Sequence, residues 1–161
     1  MNYIADLHIH SPHSRATSRE STLAGLLAWA RIKGIHIVGT GDFTHPGWLR
    51  RLREELDPAE PGFFRLKDES KIPSVISGVL AAPEPVRFLL SAEISCIYRR
   101  HSIVRKVHNL LYVPDLESAA RVNVRLASIG NIESDGRPIL GLDSRDLLEI
   151  LLGVCRTQQR G

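Results

Sequence analysis

Asp6-Leu7-His8-Ile9-His10 opens this 161-residue chain with two histidines separated by one apolar residue. On a β-strand, side chains two apart share a face, so His8 and His10 could present their imidazoles to one cation. Asp6 would share that face and could orient one of them from behind. Further ligand types fall at or near strand ends. Asp42 follows the apolar run Ile35 to Thr40, His45 lies three residues beyond it, and His108 sits within Val107 to Val113. Glu93 interrupts the apolar stretch Phe88-Leu89-Leu90-Ser91-Ala92. A carboxylate inside an apolar strand is costly unless it is paired or metal-bound, and an ion pair with Arg105 is the plain alternative. Taken singly, His108 reads as a satisfied core histidine and Asp42 as a turn residue. Together His8, His10, Asp42, Glu93 and His108 point to a metal centre.

The elements that must position them alternate between strand and helix. Tyr3 to His10 alternates apolar and polar and predicts a strand. Ser21 or Thr22 caps a helix through Leu23, Leu26, Leu27 and Ala30, which Gly34 stops. Ile35 to Thr40 predicts a strand, Gly41 to Pro46 a turn-rich loop, and Gly47 to Leu56 a short helix carrying Arg50, Arg51 and Arg53. Asp57 to Pro85 is rich in Pro, Gly, Ser and charge and predicts a long loop. Arg87 to Arg99 and Ile103 to Val113 predict a β-hairpin turning near His101-Ser102, without an Asn-Gly signal. Leu116 to Ile129 is helical by period, Asn131 to Pro138 is a polar loop, and Asp143 or Ser144 caps a last helix. Strands alternating with helices imply an α/β domain over residues 1–156, followed by a polar tail at 157–161.

Composition narrows the possibilities. The chain is 43% hydrophobic and 24% charged, with 12 Gly and 9 Pro. That excludes collagen, coiled coil and wholesale disorder. No stretch approaches ~18 uncharged apolar residues, so no membrane partner is expected. Cys96 and Cys155 form no CxxC motif, and the N-terminus lacks a secretory pattern, so a cytoplasmic setting is expected. The net charge is +3, and only Lys33, Lys67, Lys71 and Lys106 among the 21 basic residues are lysines. Arginine grips phosphate bidentately, although genomic base composition produces the same bias.

These residues also resemble a family. DLHIHS is similar to the first motif of the PHP (polymerase and histidinol phosphatase) metallophosphoesterases. ATS (16–18), GTGDFTHPGW (39–48), LLSAEISCIY (89–98), VHNLLYVP (107–114) and SDGRPILGLDSRDLLEI (134–150) resemble endonuclease Q more narrowly, in colinear order over nearly the whole chain. The resemblance implies a (β/α)7 barrel with a three-metal site. The metal would be zinc, with manganese or magnesium as alternatives. It also implies incision of DNA on the 5′ side of deaminated bases or abasic sites. By the same resemblance His8 and His10 match ligands of one metal, Glu93 matches a bridging carboxylate, and His108 matches a ligand of the second metal. Asp42 stands where a third metal is held, His45 is a ligand or phosphate contact, and His13 has no counterpart and is expected at the surface.

The departure from the family lies late in the chain. Family members add an Ala-His and an Asp-x-His segment, whereas no histidine follows His108 here. The expectation is an incomplete PHP-type barrel, α/β in class, with a hairpin-like strand pair and an open edge that invites self-association. Asp42 is expected near the cluster but under-coordinated, with Arg15, His45 or water as substitute partners. Arg50, Arg51, Arg53, Arg99, Arg100 and Arg105 are candidates to grip a DNA backbone. The chain alone is expected to be weak or inactive as a nuclease. A phosphatase for a small phosphomonoester would use the same ligands, and an inactive remnant or assembly module would explain the missing ones.

Overall fold

Strand β5 (Arg87–Arg100) is the axis on which the site is built. The computed structural model describes residues 2–73 and 85–156, so the expected tail at 157–161 and residues 74–84 of the expected loop lie outside the described residues. Near its start, β5 pairs in parallel with β2 (Ile37–Gly39) and antiparallel with β4 (Phe64–Leu66). Farther along, β7 (Ile139–Leu140) joins it in parallel at Ser95 and Cys96. The antiparallel partner β6 (Ile103–Val113) runs beside it from Leu90 to Arg100. Strand β1 (Ala5–Asp6) extends the sheet beyond β2, and β3 (Leu56–Pro58) extends it beyond β4. The result is a mixed seven-stranded sheet that does not close into a barrel among the described residues.

Four helices complete the α/β fold. Helix α1 (Leu23–Lys33) starts where Thr22 accepts from the Gly25 amide and ends at left-handed Gly34. Helix α2 (Pro46–Glu55) begins with proline at its first turn, where the missing N–H is not needed. Asp115 caps α3 (Leu116–Ala127), and Asp143 accepts from the Arg145 and Asp146 amides at the start of α4 (Ser144–Arg156). No helix among the described residues is long and apolar enough to cross a membrane.

Alternation along β5 separates structure from chemistry. Leu90, Ala92, Ile94 and Cys96 are buried with Leu111 and Val113 of β6, Val122 and Leu126 of α3, and Leu147 of α4. Ser91, Glu93 and Ser95 alternate with them on the opposite face and are buried too. The β5–β6 turn places both His101 and Ser102 at positive φ, 49° and 62°, which is the geometry of a two-residue type I′ turn without its usual Asn-Gly.

Three expectations need correction. The strand expected over Tyr3 to His10 spans only Ala5–Asp6, because the chain then leaves the sheet to carry its histidines toward β5. The expected loop after Asp57 contains β4, which pairs with β3 and covers Phe88. Within the polar segment before α4, the two-residue β7 was not anticipated; a strand that short leaves no periodic signal.

Candidate metal centre

Glu93 is only 2% exposed, and three histidines converge on its carboxylate. His8 Nε2 lies 3.0 Å and His10 Nε2 3.1 Å from Oε2, while His108 Nδ1 contacts Oε1. The two oxygens therefore face different histidines. His108 reaches its place by register: it is paired with Ser95 across the β5–β6 ladder, one same-face step from Glu93. His8 and His10 arrive from the opposite end of the sequence, just beyond β1.

Both His10 and His108 are held from behind. His10 Nδ1 is 2.9 Å from Asp42 Oδ1, and a carboxylate only accepts, so the proton sits on Nδ1 and Nε2 faces Glu93. Ser95 Oγ lies 3.2 Å from His108 Nε2, leaving Nδ1 toward Glu93. The carboxylate behind His10 fixes the tautomer that a metal-binding histidine needs, whereas the Ser95 hydroxyl can donate or accept. Hydrogen bonding to Asp42 raises the pKa of His10 above its ordinary value, against an opposing effect of burial. Burial pushes Glu93 upward, but hydrogen bonds from His8 and His108 and the charge of Arg137 outweigh it and leave the carboxyl below its usual range.

Asp42 is fully buried and saturated rather than under-coordinated. Besides His10, it accepts from the Ser11 amide and hydroxyl, both at 2.7 Å, and from Ser14 Oγ at 2.8 Å. These bonds overcome the upward pull of burial and hold its pKa down. Neither expected substitute partner is bonded to it among the described residues. Arg15 pairs with Asp135 at 3.4 Å, and His45 Nε2 donates to the Glu133 carbonyl. His13 is not a bystander at the surface, because its ring packs 4.2 Å from that of His45. Asp6 makes no hydrogen bond to His8 or His10 among the described residues; it lines a shallow cleft with Ile9, Trp29 and Lys33. Glu93 has an arginine neighbour, but it is Arg137 at 3.8 Å and not Arg105.

The loop carrying Asp42 is fixed on both sides. The Phe43 amide donates to the Ser91 carbonyl, Trp48 Nε1 donates to the Thr40 and Gly41 carbonyls, and Asn123 of α3 donates to the Phe43 carbonyl. Gly41 has φ +64°, and a Cβ there would lie 2.4 Å from the Ile9 carbonyl oxygen. Gly41→Ala should therefore destabilise the chain by about 2 kcal/mol or more, lowering Tm by roughly 4–8 °C in a domain of this size. Calorimetry checks it; an unchanged Tm would mean that the His10 segment tolerates displacement.

The donor set fits a divalent cation. Nitrogen atoms of His8 and His10 and a Glu93 oxygen all lie within 4.8 Å of one another. Ligands of a tetrahedral zinc at ~2.0–2.3 Å stand about 3–4 Å apart, so small side-chain adjustments close the site. Ser95, His108 and Glu93 also follow the atom order of a nucleophile triad. Ser95 is 5% exposed, however, and its amide is spent on the Pro138 carbonyl rather than left as an oxyanion donor.

Sequence reasoning found the three histidines, Glu93 and Asp42. It missed Ser11, Ser14 and Ser95, which hold the carboxylate and the imidazole, and Arg137. Small hydroxyl residues in loops carry no periodic signal, although the serine of DLHIHS adjoins the histidines it serves.

No family model matches the chain. An uncharacterized protein of Methanocaldococcus jannaschii is 27% identical over 150 residues, which covers 92% of this chain and 15% of that protein. Among solved structures, a lesion-specific endonuclease Q from Pyrococcus furiosus superposes with a TM-score of 0.70 at 30% identity, covering 94% of this chain and 32% of that one. A second, endonuclease Q in complex with a 27-mer duplex carrying an abasic lesion at the active site, gives a TM-score of 0.69 at the same identity and coverage. This chain thus spans about a third of the solved relatives' length, and over nearly all of its own length it is similar to endonuclease Q in sequence and fold.

Proposed function

We propose that this chain carries the metal-binding part of a DNA phosphodiesterase of the endonuclease Q kind, acting at abasic or deaminated sites. The observation that carries it is the convergence of three histidines on both oxygens of buried Glu93, in a chain so similar to a lesion-specific endonuclease. His8, His10, Glu93 and His108 would hold the metal. Asp42 and Ser95 position His10 and His108, and His45 and Arg15 fasten the neighbouring 133–137 loop. Nitrogen donors with a carboxylate favour zinc over magnesium. A bound divalent cation supplies Lewis-acid chemistry, drawing charge from phosphoryl oxygens and making water nucleophilic near neutral pH. Glu93, held below its ordinary pKa, stays ionised to anchor that charge. Of the arginines proposed to follow the DNA backbone, Arg50, Arg53, Arg99, Arg100 and Arg105 are exposed. Arg51 is tied to Glu55, Arg53 to the Leu116 carbonyl and Arg100 to Asp143.

Zinc binding tests the reading. A metal ligand must present an unprotonated nitrogen, and His10, whose pKa is raised by its hydrogen bond to Asp42, must give up its proton wherever it is charged. Zinc affinity should therefore fall as pH drops into the acid range, read by calorimetry at stepped pH. His10→Ala should lower zinc stoichiometry by native mass spectrometry. Affinity for a duplex with an abasic site should fall as salt rises, and any zinc-dependent incision should vanish in His8→Ala. A chain that takes up no zinc would sink the proposal.

A further inference from the structure

We infer that Arg137 is a phosphate-binding residue of this centre, engaged by Glu93 while the metal is absent and released to substrate when it is bound. The inference rests on the metal reading above and adds to it a residue from outside the ligand set. Arg137 Nη1 stands 3.8 Å from Glu93 Oε2, the oxygen that also faces His8 and His10. That separation exceeds the ~2.7–2.9 Å of a committed charge-assisted hydrogen bond. The side chain is 45% exposed, while the carboxylate beneath it is 2% exposed. The guanidinium therefore sits at the solvent mouth of the centre, with most of its donors uncommitted among the described residues.

The backbone around Arg137 is built to hold it there. His45 Nε2 bonds the Glu133 carbonyl, the Gly136 amide donates to the His13 carbonyl, and the Ser95 amide donates to the Pro138 carbonyl. Gly136 packs directly on the Asp42 carboxylate, where a Cβ would lie 2.3 Å from Oδ2. Arg137 is thus the residue between two anchor points, one on the Asp42 loop and one on β5. A guanidinium serving only as counter-ion for buried Glu93 would be expected in direct contact and shielded from water; this one is neither. A dication held by His8, His10 and Glu93 would take over the neutralisation of Glu93, leaving the guanidinium fork of Arg137 free to receive phosphoryl oxygens.

The test compares wild type, Arg137→Ala and Arg137→Lys, each with and without zinc. Zinc stoichiometry is read by native mass spectrometry. Binding of inorganic phosphate and of bis(p-nitrophenyl) phosphate, standing for monoester-like and diester groups, is read by calorimetry. With zinc, Arg137→Ala should weaken binding of at least one probe tenfold or more while keeping wild-type stoichiometry. Arg137→Lys should recover part of the loss, because it restores charge without the fork. Without zinc, wild type and Arg137→Ala should bind the probes equally poorly. Loss confined to the diester would assign the contact to a nucleic-acid backbone, and loss confined to phosphate would assign it to a monoester; either supports the inference. Equal probe affinity in zinc-loaded wild type and Arg137→Ala would overturn it and leave the metal reading standing. A change in zinc affinity alone would also overturn it, making Arg137 only the partner of Glu93. Failure of the wild type to take up zinc would overturn both.

Discussion

Glu93→Gln should abolish zinc binding at micromolar metal, the largest functional effect expected of any single substitution in this chain. Losing a residue that merely orients a ligand costs about 10–100-fold in affinity. Glu93 is itself the group on which His8, His10 and His108 converge, so its loss should exceed that range. The amide keeps the shape of the side chain and removes its charge. What remains is three imidazoles with no anion among them to offset a dication or the nearby charge of Arg137. Equilibrium dialysis against zinc, with circular dichroism to verify the fold, reads the outcome. Retention of zinc within tenfold of wild type would place the cation elsewhere.

Asp42→Asn should have the largest effect on stability. The carboxylate is fully buried and accepts from four donors, of which the Ser11 amide cannot reverse its direction. An asparagine would remove the charge those donors serve and could meet His10 Nδ1 only by turning the imidazole to its other tautomer. Breaking a buried charged pair costs about 3–5 kcal/mol, or roughly 6–20 °C in Tm for a domain of this size. The pH dependence has a definite sign. Because Asp42 titrates below its unfolded value in the folded chain, its contribution is complete above the unfolded pKa near 3.8 and fades as pH falls through the depressed folded value. The Tm gap between wild type and Asp42→Asn should therefore narrow under strong acid, and narrow also as pH rises through the raised pKa of His10, whose protonated form Asp42 stabilises. A gap that is instead small at neutral pH would mean that the serines re-form the network around the amide. Zinc affinity should fall as well, by the 10–100-fold of a lost orienting partner, since His10 would be free to turn.

The ligand residues were legible in the sequence because their types conflict with their surroundings. Glu93 stands in an apolar strand, and His8 and His10 alternate with apolar neighbours. The same alternation misled about structure, since Leu7 to His10 lies outside the sheet although its pattern is that of a strand. The helices and their caps were legible from local signals: Thr22, Gly34, Asp115 and Asp143 each act through bonds within a few residues. Arg137 and the hydroxyls of Ser14 and Ser95 were not legible, because their roles come from contacts across 13 to 44 residues or from packing of one loop on another. Asp42 was found by position but misjudged in state. An anion in a Gly-Asp turn gives no sign of how many donors the fold will bring to it.

The separations of the bonded residues imply an order of assembly. Glu93 and His108 are 15 residues apart, joined by a tight turn, whereas His8 must find Glu93 across 85 residues. A hairpin closes in about 1–10 μs, while nonlocal parallel pairing can take milliseconds or longer. During refolding, half of the cluster should therefore exist well before the N-terminal histidines dock. Zinc supplied at successive delays would then meet first a two-residue half-site and later the whole one. The delay at which tight capture begins would time the docking of the Leu7–His10 segment onto β5.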